Sequence, residues 1–164
     1  MHTDGGGPFD HLEEYGFMAS GESFIDKITQ LKVFITEVCA TNNDCSLPTA
    51  LVMTFSVSYA MHDCSINIRS QGAYTDGSFT PRATVNFPPS VYLTRIELDS
   101  EYVTICNSLG NCTQVGPYNG TEPTMVFERN NSAIKAFYGS SGSWVDAVGV
   151  YYETHGQSTS ECNP

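Results

Sequence analysis

Apolar and polar residues alternate along much of this chain. Leu51, Met53, Phe55, Val57 and Tyr59 take every second position, with Val52, Thr54, Ser56 and Ser58 between them. A period of two puts one set of side chains on one face of a strand. The same period runs through Leu31, Val33 and Ile35, through Ile66 and Ile68, through Ala83, Val85 and Phe87, and through Tyr92, Thr94, Ile96 and Leu98. Further strands are expected over 102–107, 124–128, 133–138 and 145–153. Turn-forming residues separate them: Asn42-Asn43-Asp44, His62-Asp63, Asp76-Gly77, Pro88-Pro89, Leu109-Gly110-Asn111, Asn119-Gly120 and Asn130-Asn131. No stretch sustains a helical period. The pattern predicts an all-β fold, and these residues leave sandwich, barrel and prism open.

The 164 residues suit one domain with a substantial core, and no linker interrupts them. Residues 1–4 and 156–164 are polar ends. Met1-His2-Thr3-Asp4 is too short and polar to read as a signal peptide, so Met1 is taken as a start placed before a mature sequence. No apolar run approaches the roughly 20 residues that span a bilayer. Seven Lys and Arg stand against 18 Asp and Glu, a net charge of −11. That balance favours solubility and disfavours nucleic acid and direct membrane insertion.

The six cysteines change the picture of the compartment. Cys39/Cys45 and Cys106/Cys112 share one spacing with polar turns between, which suits disulfides that clip hairpins. Cys64 and Cys162 are left over and suit a tie between the C-terminal tail and the body. Other connectivities, including a bond between chains, stay open. No Cys-x-x-Cys is present, which removes support for zinc and redox motifs. Asn111, Asn119 and Asn130 each begin a glycosylation tripeptide. Beside an even cysteine count these favour a secreted glycoprotein.

One short segment carries chemistry. Gly142-Ser143-Trp144-Val145-Asp146 is a small-residue turn that presents one carboxylate, and the apolar run Ala147-Val148-Gly149-Val150-Tyr151 leads away from it. Backbone N–H groups in such a turn donate to sugar hydroxyls, a carboxylate accepts from two neighbouring hydroxyls, and Trp144 offers a flat face. A loop Asp capping its own turn and a packed Trp are the plainer readings of the same residues.

The segment resembles the Gly-x-x-x-Asp loop of jacalin-type lectins. Three further stretches resemble that family in its order: Gly5-Gly6-Gly7-Pro8-Phe9-Asp10, Phe87-Pro88-Pro89-Ser90-Val91-Tyr92-Leu93, and Gly116-Pro117-Tyr118 followed by the apolar pair within 124–127. The wording around Gly142 is most similar to the animal branch, which includes the lectin of pancreatic zymogen granules. The resemblance covers about residues 5–153 and implies a β-prism of three four-stranded Greek-key sheets. It implies carbohydrate binding without metal or other cofactor, through Gly6, Gly142, Ser143, Trp144, Val145 and Asp146, and homo-oligomers, a dimer first, whose partners are glycans and glycoproteins. Uncleaved members of the family often prefer mannose or glucose. No processing site is evident here, so mannose/glucose-type glycans are expected first and galactose-type second. The chain departs from the family pattern in two places. The 98–106 segment is shorter than in plant relatives, with Tyr102 as the candidate extra contact, and Asn119 stands where the family usually has glycine.

Enzymatic motifs are missing. Gly139-Ser140-Ser141-Gly142 is not a nucleophile elbow, and no His-Glu-x-x-His or EF-hand loop occurs. His2, His11, His62 and His155 lack ligand spacing and read as solvated loop residues. Glu13/Glu14 and Asp99/Glu101 are pairs that an acidic chain produces by chance, so a glycosidase is disfavoured. A secreted structural or matrix protein, with the sugar site weakened or lost, is the alternative to a lectin.

Overall fold

The computed structural model describes residues 7–41, 44–72, 81–99, 102–116, 123, 125–142 and 144–154, without the side chains of 36–41 and 44–52. In chain order the elements are β1 (Gly7–Asp10), α1 (His11–Tyr15), β2 (Ile25–Thr41), β3 (Asp44–Met61), β4 (Ile66–Gln71), β5 (Ala83–Asn86), β6 (Leu93–Leu98), β7 (Val103–Asn107), β8 (Cys112–Val115), β9 (Met125–Glu128), β10 (Ser132–Ser141) and β11 (Val145–Thr154). They form three antiparallel sheets, ordered β1-β10-β11, β4-β3-β2-β5 and β8-β7-β6-β9.

The second and third sheets are Greek keys of one design. Three strands follow one another through hairpins, and a fourth returns to lie beside the first. The first sheet repeats part of that plan, with hairpin β10–β11 and β1 beside β10. Among the described residues it has three strands, one fewer than expected. The threefold repetition is thus topological, with no matching repeat in the residues.

Inward positions of all three sheets meet in one core. It holds Phe9, Ile134, Ala136 and Phe137 from the first sheet, Leu31, Val33, Phe55, Val57 and Tyr59 from the second, and Leu93, Ile96, Val103 and Ile105 from the third. Strand β10 packs against both β2 and β6, so the sheets are the three walls of a prism. The alternation that predicted β3 does this work: Phe55, Val57 and Tyr59 are buried together.

Two strands depart from their period-two expectation. In β6 the register slips between Leu93 and Arg95, so the buried pair is Leu93 and Ile96 rather than alternate residues. In β4, Ile66 and Ile68 face outward at 58% and 63% exposure. The inward side of β4 carries Asn67, Arg69 and Gln71, because helix α1 covers it with polar partners. Arg69 pairs with Glu14 at 3.2 Å and lies 4.7 Å over the Tyr15 ring. Polar groups turned inward on an edge strand also discourage pairing with another chain.

Lys27 ties two walls together. It is 4% exposed, and its ammonium donates to the carbonyls of Phe87, Pro88 and Val91 at 3.0, 2.8 and 2.7 Å. These carbonyls line the connection from β5 to β6, so one cation satisfies a turn that prolines leave short of donors. The expected Cys106–Cys112 disulfide joins facing residues of β7 and β8. Cys64 is disulfide-bonded, while Cys162 and the side chains of Cys39 and Cys45 lie outside the described residues. No free cysteine occurs among the described residues. No helix among them is long and apolar enough to cross a membrane.

Candidate functional site

The turn between β10 and β11 is built by close approach and by an extra residue. Gly139 has φ +153°, and a Cβ there would lie 2.0 Å from the Ala147 carbonyl oxygen. Only glycine lets the two strands come this near. Beyond it, Ser140 faces Ala147 while Ser141 faces Val145, which leaves Asp146 with no facing residue on β10. This is a β-bulge, and a bulge bends its strand and re-aims a side chain. The Gly142 N–H closes the turn by donating to the Trp144 carbonyl at 2.9 Å.

Gly142, Trp144, Val145 and Asp146 therefore sit together at this turn. Trp144 and Val145 are half-buried, and Asp146 is exposed. Gly6 and Ser143 lie outside the described residues. Gly7, next to Gly6 in the chain, pairs with Ser141 immediately before the turn. Tyr102 is a correction. It is 0% exposed and belongs to the core, so its ring offers no face to a ligand. The chain there is short, and a tight hairpin draws the residue inward, with the Asp99 N–H donating to the Tyr102 carbonyl at 3.0 Å.

Asp146 lines a groove of about 370 Å³ at the end of the prism where hairpins β6–β7 and β10–β11 turn. Apolar side chains make most of its surface, among them Ile35, Met53, Met125, Val145 and Ala147. Asp99 is the second carboxylate on it. Of these, Val145 and Asp146 are expected site residues, Asp99 entered only as half of the acidic pair Asp99/Glu101, and Ile35, Met53, Met125 and Ala147 escaped the reading of the sequence. The one available signal was the place of Asp99 at the end of the Ile96/Leu98 alternation, where a hairpin must turn. Among the described residues no group of three or more His, Cys, Asp or Glu is placed to hold a metal ion.

Polar bonds brace the strands that carry the turn. Asp10 caps α1 by accepting from the Glu13 N–H at 3.1 Å, and its other oxygen accepts from the Tyr151 hydroxyl at 2.5 Å. That bond holds the Tyr151 proton up to about 12. Tyr151 in turn packs at a tilt against Tyr138, which covers Gly149. His11, expected in a solvated loop, is 0% exposed. Its Nδ1 lies 2.6 Å from the Tyr59 hydroxyl, and its Nε2 lies 3.0 Å from the Gln71 amide nitrogen. The Gln71 carbonyl accepts from the Ser141 hydroxyl at 2.9 Å. Burial, and after it the Arg69 charge, lowers the His11 pKa to about 4 against a smaller opposing effect of Asp10, so the ring is neutral near neutral pH.

No family model matches this sequence, and no curated protein matches it. Solved structures do. The mannose-binding lectin of champedak aligns at 18% identity and TM-score 0.55, spanning 80% of this chain and 85% of that one. The galactose-binding lectin of the same plant aligns at 19% and 0.54, spanning 79% and 94%. The Calsepa lectin in complex with a biantennary N-glycan aligns at 23% and 0.52, spanning 79% and 84%. At these identities the likeness establishes the fold: the architecture is the β-prism of jacalin-type lectins.

Proposed function

We propose that this chain is a secreted, metal-independent glycan-binding protein whose site is the β10–β11 turn and the groove beside it. The observation that carries this reading is the bulge at Asp146. It leaves residue 146 without a facing residue on β10, and the Asp146 carboxylate lies on the rim of an apolar groove. A pyranose has this character, with hydroxyls around its edge and C–H groups on its faces. Asp146 accepts from two adjacent hydroxyls, and Val145 and Ala147 pack on the ring. Backbone N–H groups of residues 143–145 and of Gly6 complete the set. Mannose/glucose-type glycans are the first expectation. The mannose- and galactose-binding champedak lectins are about equally similar to this chain, so the likeness itself favours neither sugar. One monosaccharide offers few atoms, so a single site binds at about millimolar Kd, and self-association, a dimer first, supplies avidity.

The test is Asp146→Ala on a glycan array and by titration calorimetry. Loss of two hydrogen bonds to a charged acceptor weakens binding by about 100-fold or more while the fold persists. A folded variant that binds as well as the parent overturns the site. Silence of the parent chain on the array favours a matrix protein on this scaffold. Binding that disappears in EDTA overturns metal independence.

A second reading has one observation in its favour: Asp99 and Asp146 line the same groove, as the two carboxyls of a glycosidase would. Nitrophenyl glycosides of mannose, glucose and galactose separate the two. A lectin leaves them intact.

A further inference from the structure

The bonds from His11 to Ser141 cross a corner of the prism. Gln71 ends β4, one of the two outer strands of the second sheet, whereas Ser141 ends β10, the central strand of the first. Ser141 also faces Gly7 on one side and Val145 on the other, so it is the last paired residue before the turn. Donor and acceptor roles follow from the amide. The Gln71 carbonyl is taken by the Ser141 hydroxyl, so its NH₂ donates to His11 Nε2. The His11 proton then sits on Nδ1 and donates to the Tyr59 oxygen. His11 and Tyr59 are both fully buried and enclosed by Phe9, Phe55 and Tyr15. The far end of the chain of bonds is therefore fixed in the core, and only its near end reaches the site.

We propose that Gln71 is a positioning residue for the proposed glycan site: anchored by His11, it holds Ser141 from the neighbouring sheet and so sets the orientation of residues 142 and 144–146. The strand ladder cannot do this alone. Its pairing ends at Ser141 and Val145, and the bulge at Asp146 breaks the register on the β11 side. A side-chain bond from outside the sheet supplies the missing restraint at the point where a small tilt would move the carboxylate most. This inference rests on the glycan-binding reading for its purpose, but the restraint itself is measurable without a ligand.

The experiment compares Gln71→Met, Gln71→Glu and Ser141→Ala with the parent. Methionine keeps the length of the side chain and removes both hydrogen bonds. Glutamate restores both: one oxygen accepts from Ser141, and the other accepts from His11 once the ring carries its proton on Nε2. Trp144 is the only tryptophan in the chain, so its fluorescence reports the turn directly. Acrylamide quenching rises in Gln71→Met and Ser141→Ala and returns to the parent value in Gln71→Glu. Glycan affinity follows the same order, falling about fivefold in the first two variants, the size of one neutral hydrogen bond. Parent-like quenching in both Gln71→Met and Ser141→Ala overturns the proposal, as does a Gln71→Glu variant no better than Gln71→Met. If the parent binds no glycan, the functional reading falls, while the quenching comparison still decides the positioning role.

Discussion

Acid should destabilise this protein through one buried imidazole. The unfolded His11 takes a proton near pH 6.5, and in the native chain it does so only near about 4. Between those values the unfolded state binds more protons than the native state, so stability falls as pH falls through the window and is regained above it. Holding the proton off the ring across that interval corresponds to about 3 kcal/mol. The perturbation is His11→Gln, which keeps a donor and an acceptor and cannot titrate. Urea unfolding followed by circular dichroism at about pH 7.5 and about pH 4 gives the stability lost in each protein. Carboxylates titrate in both, so they cancel in the comparison. The parent should lose about 3 kcal/mol more than the variant, a large share of a typical domain's stability. Equal losses would refute the argument that burial and Arg69 keep this ring neutral.

Other outcomes follow from the same geometry. Gly139→Ala drives a Cβ into the Ala147 carbonyl at a backbone angle reserved for glycine, and should cost about 3 kcal/mol or more in urea. Gly149→Ala should cost less, because the nearest atoms to the added one belong to the Tyr138 side chain, which is 42% exposed and can swing aside at the expense of its contact with Tyr151. Lys27→Met leaves three carbonyls without their donor and should lower stability by about 3 kcal/mol, measured as the shift of the urea midpoint. Replacing Cys106 and Cys112 together with serine opens a short loop and should cost about 2 kcal/mol by the same assay.

The strands were legible where one face is buried along their length. The alternation from Met53 to Tyr59 names β3 and its inward residues. It failed at β4, where Ile66 and Ile68 obey the period but face out. Nothing local says that a helix covers the other side with Glu14 and Tyr15. That helix is five residues long, too short for a period to show. Its one local mark was Asp10 three residues before Glu13, the spacing of a capping side chain. The burial of His11 was illegible because its partner Tyr59 lies 48 residues away. At the site, the turn residues 142 and 144–146 were readable as a cluster because they are contiguous. The groove was not, since it draws on Ile35, Met53, Asp99 and Met125, which only the closed prism brings together.

The first sheet pairs residues 7–10 with residues 138–141. A chain leaving the ribosome completes two walls while β1 still waits, for some 120 residues, for its neighbour. The turn with its carboxylate is made only after both of those walls, and it is framed only when the two distant segments zip together. Assembly of the proposed site is therefore coupled to closure of the whole barrel of walls. A copy cut short before residue 132 would lack β10, and with it the frame of the proposed site.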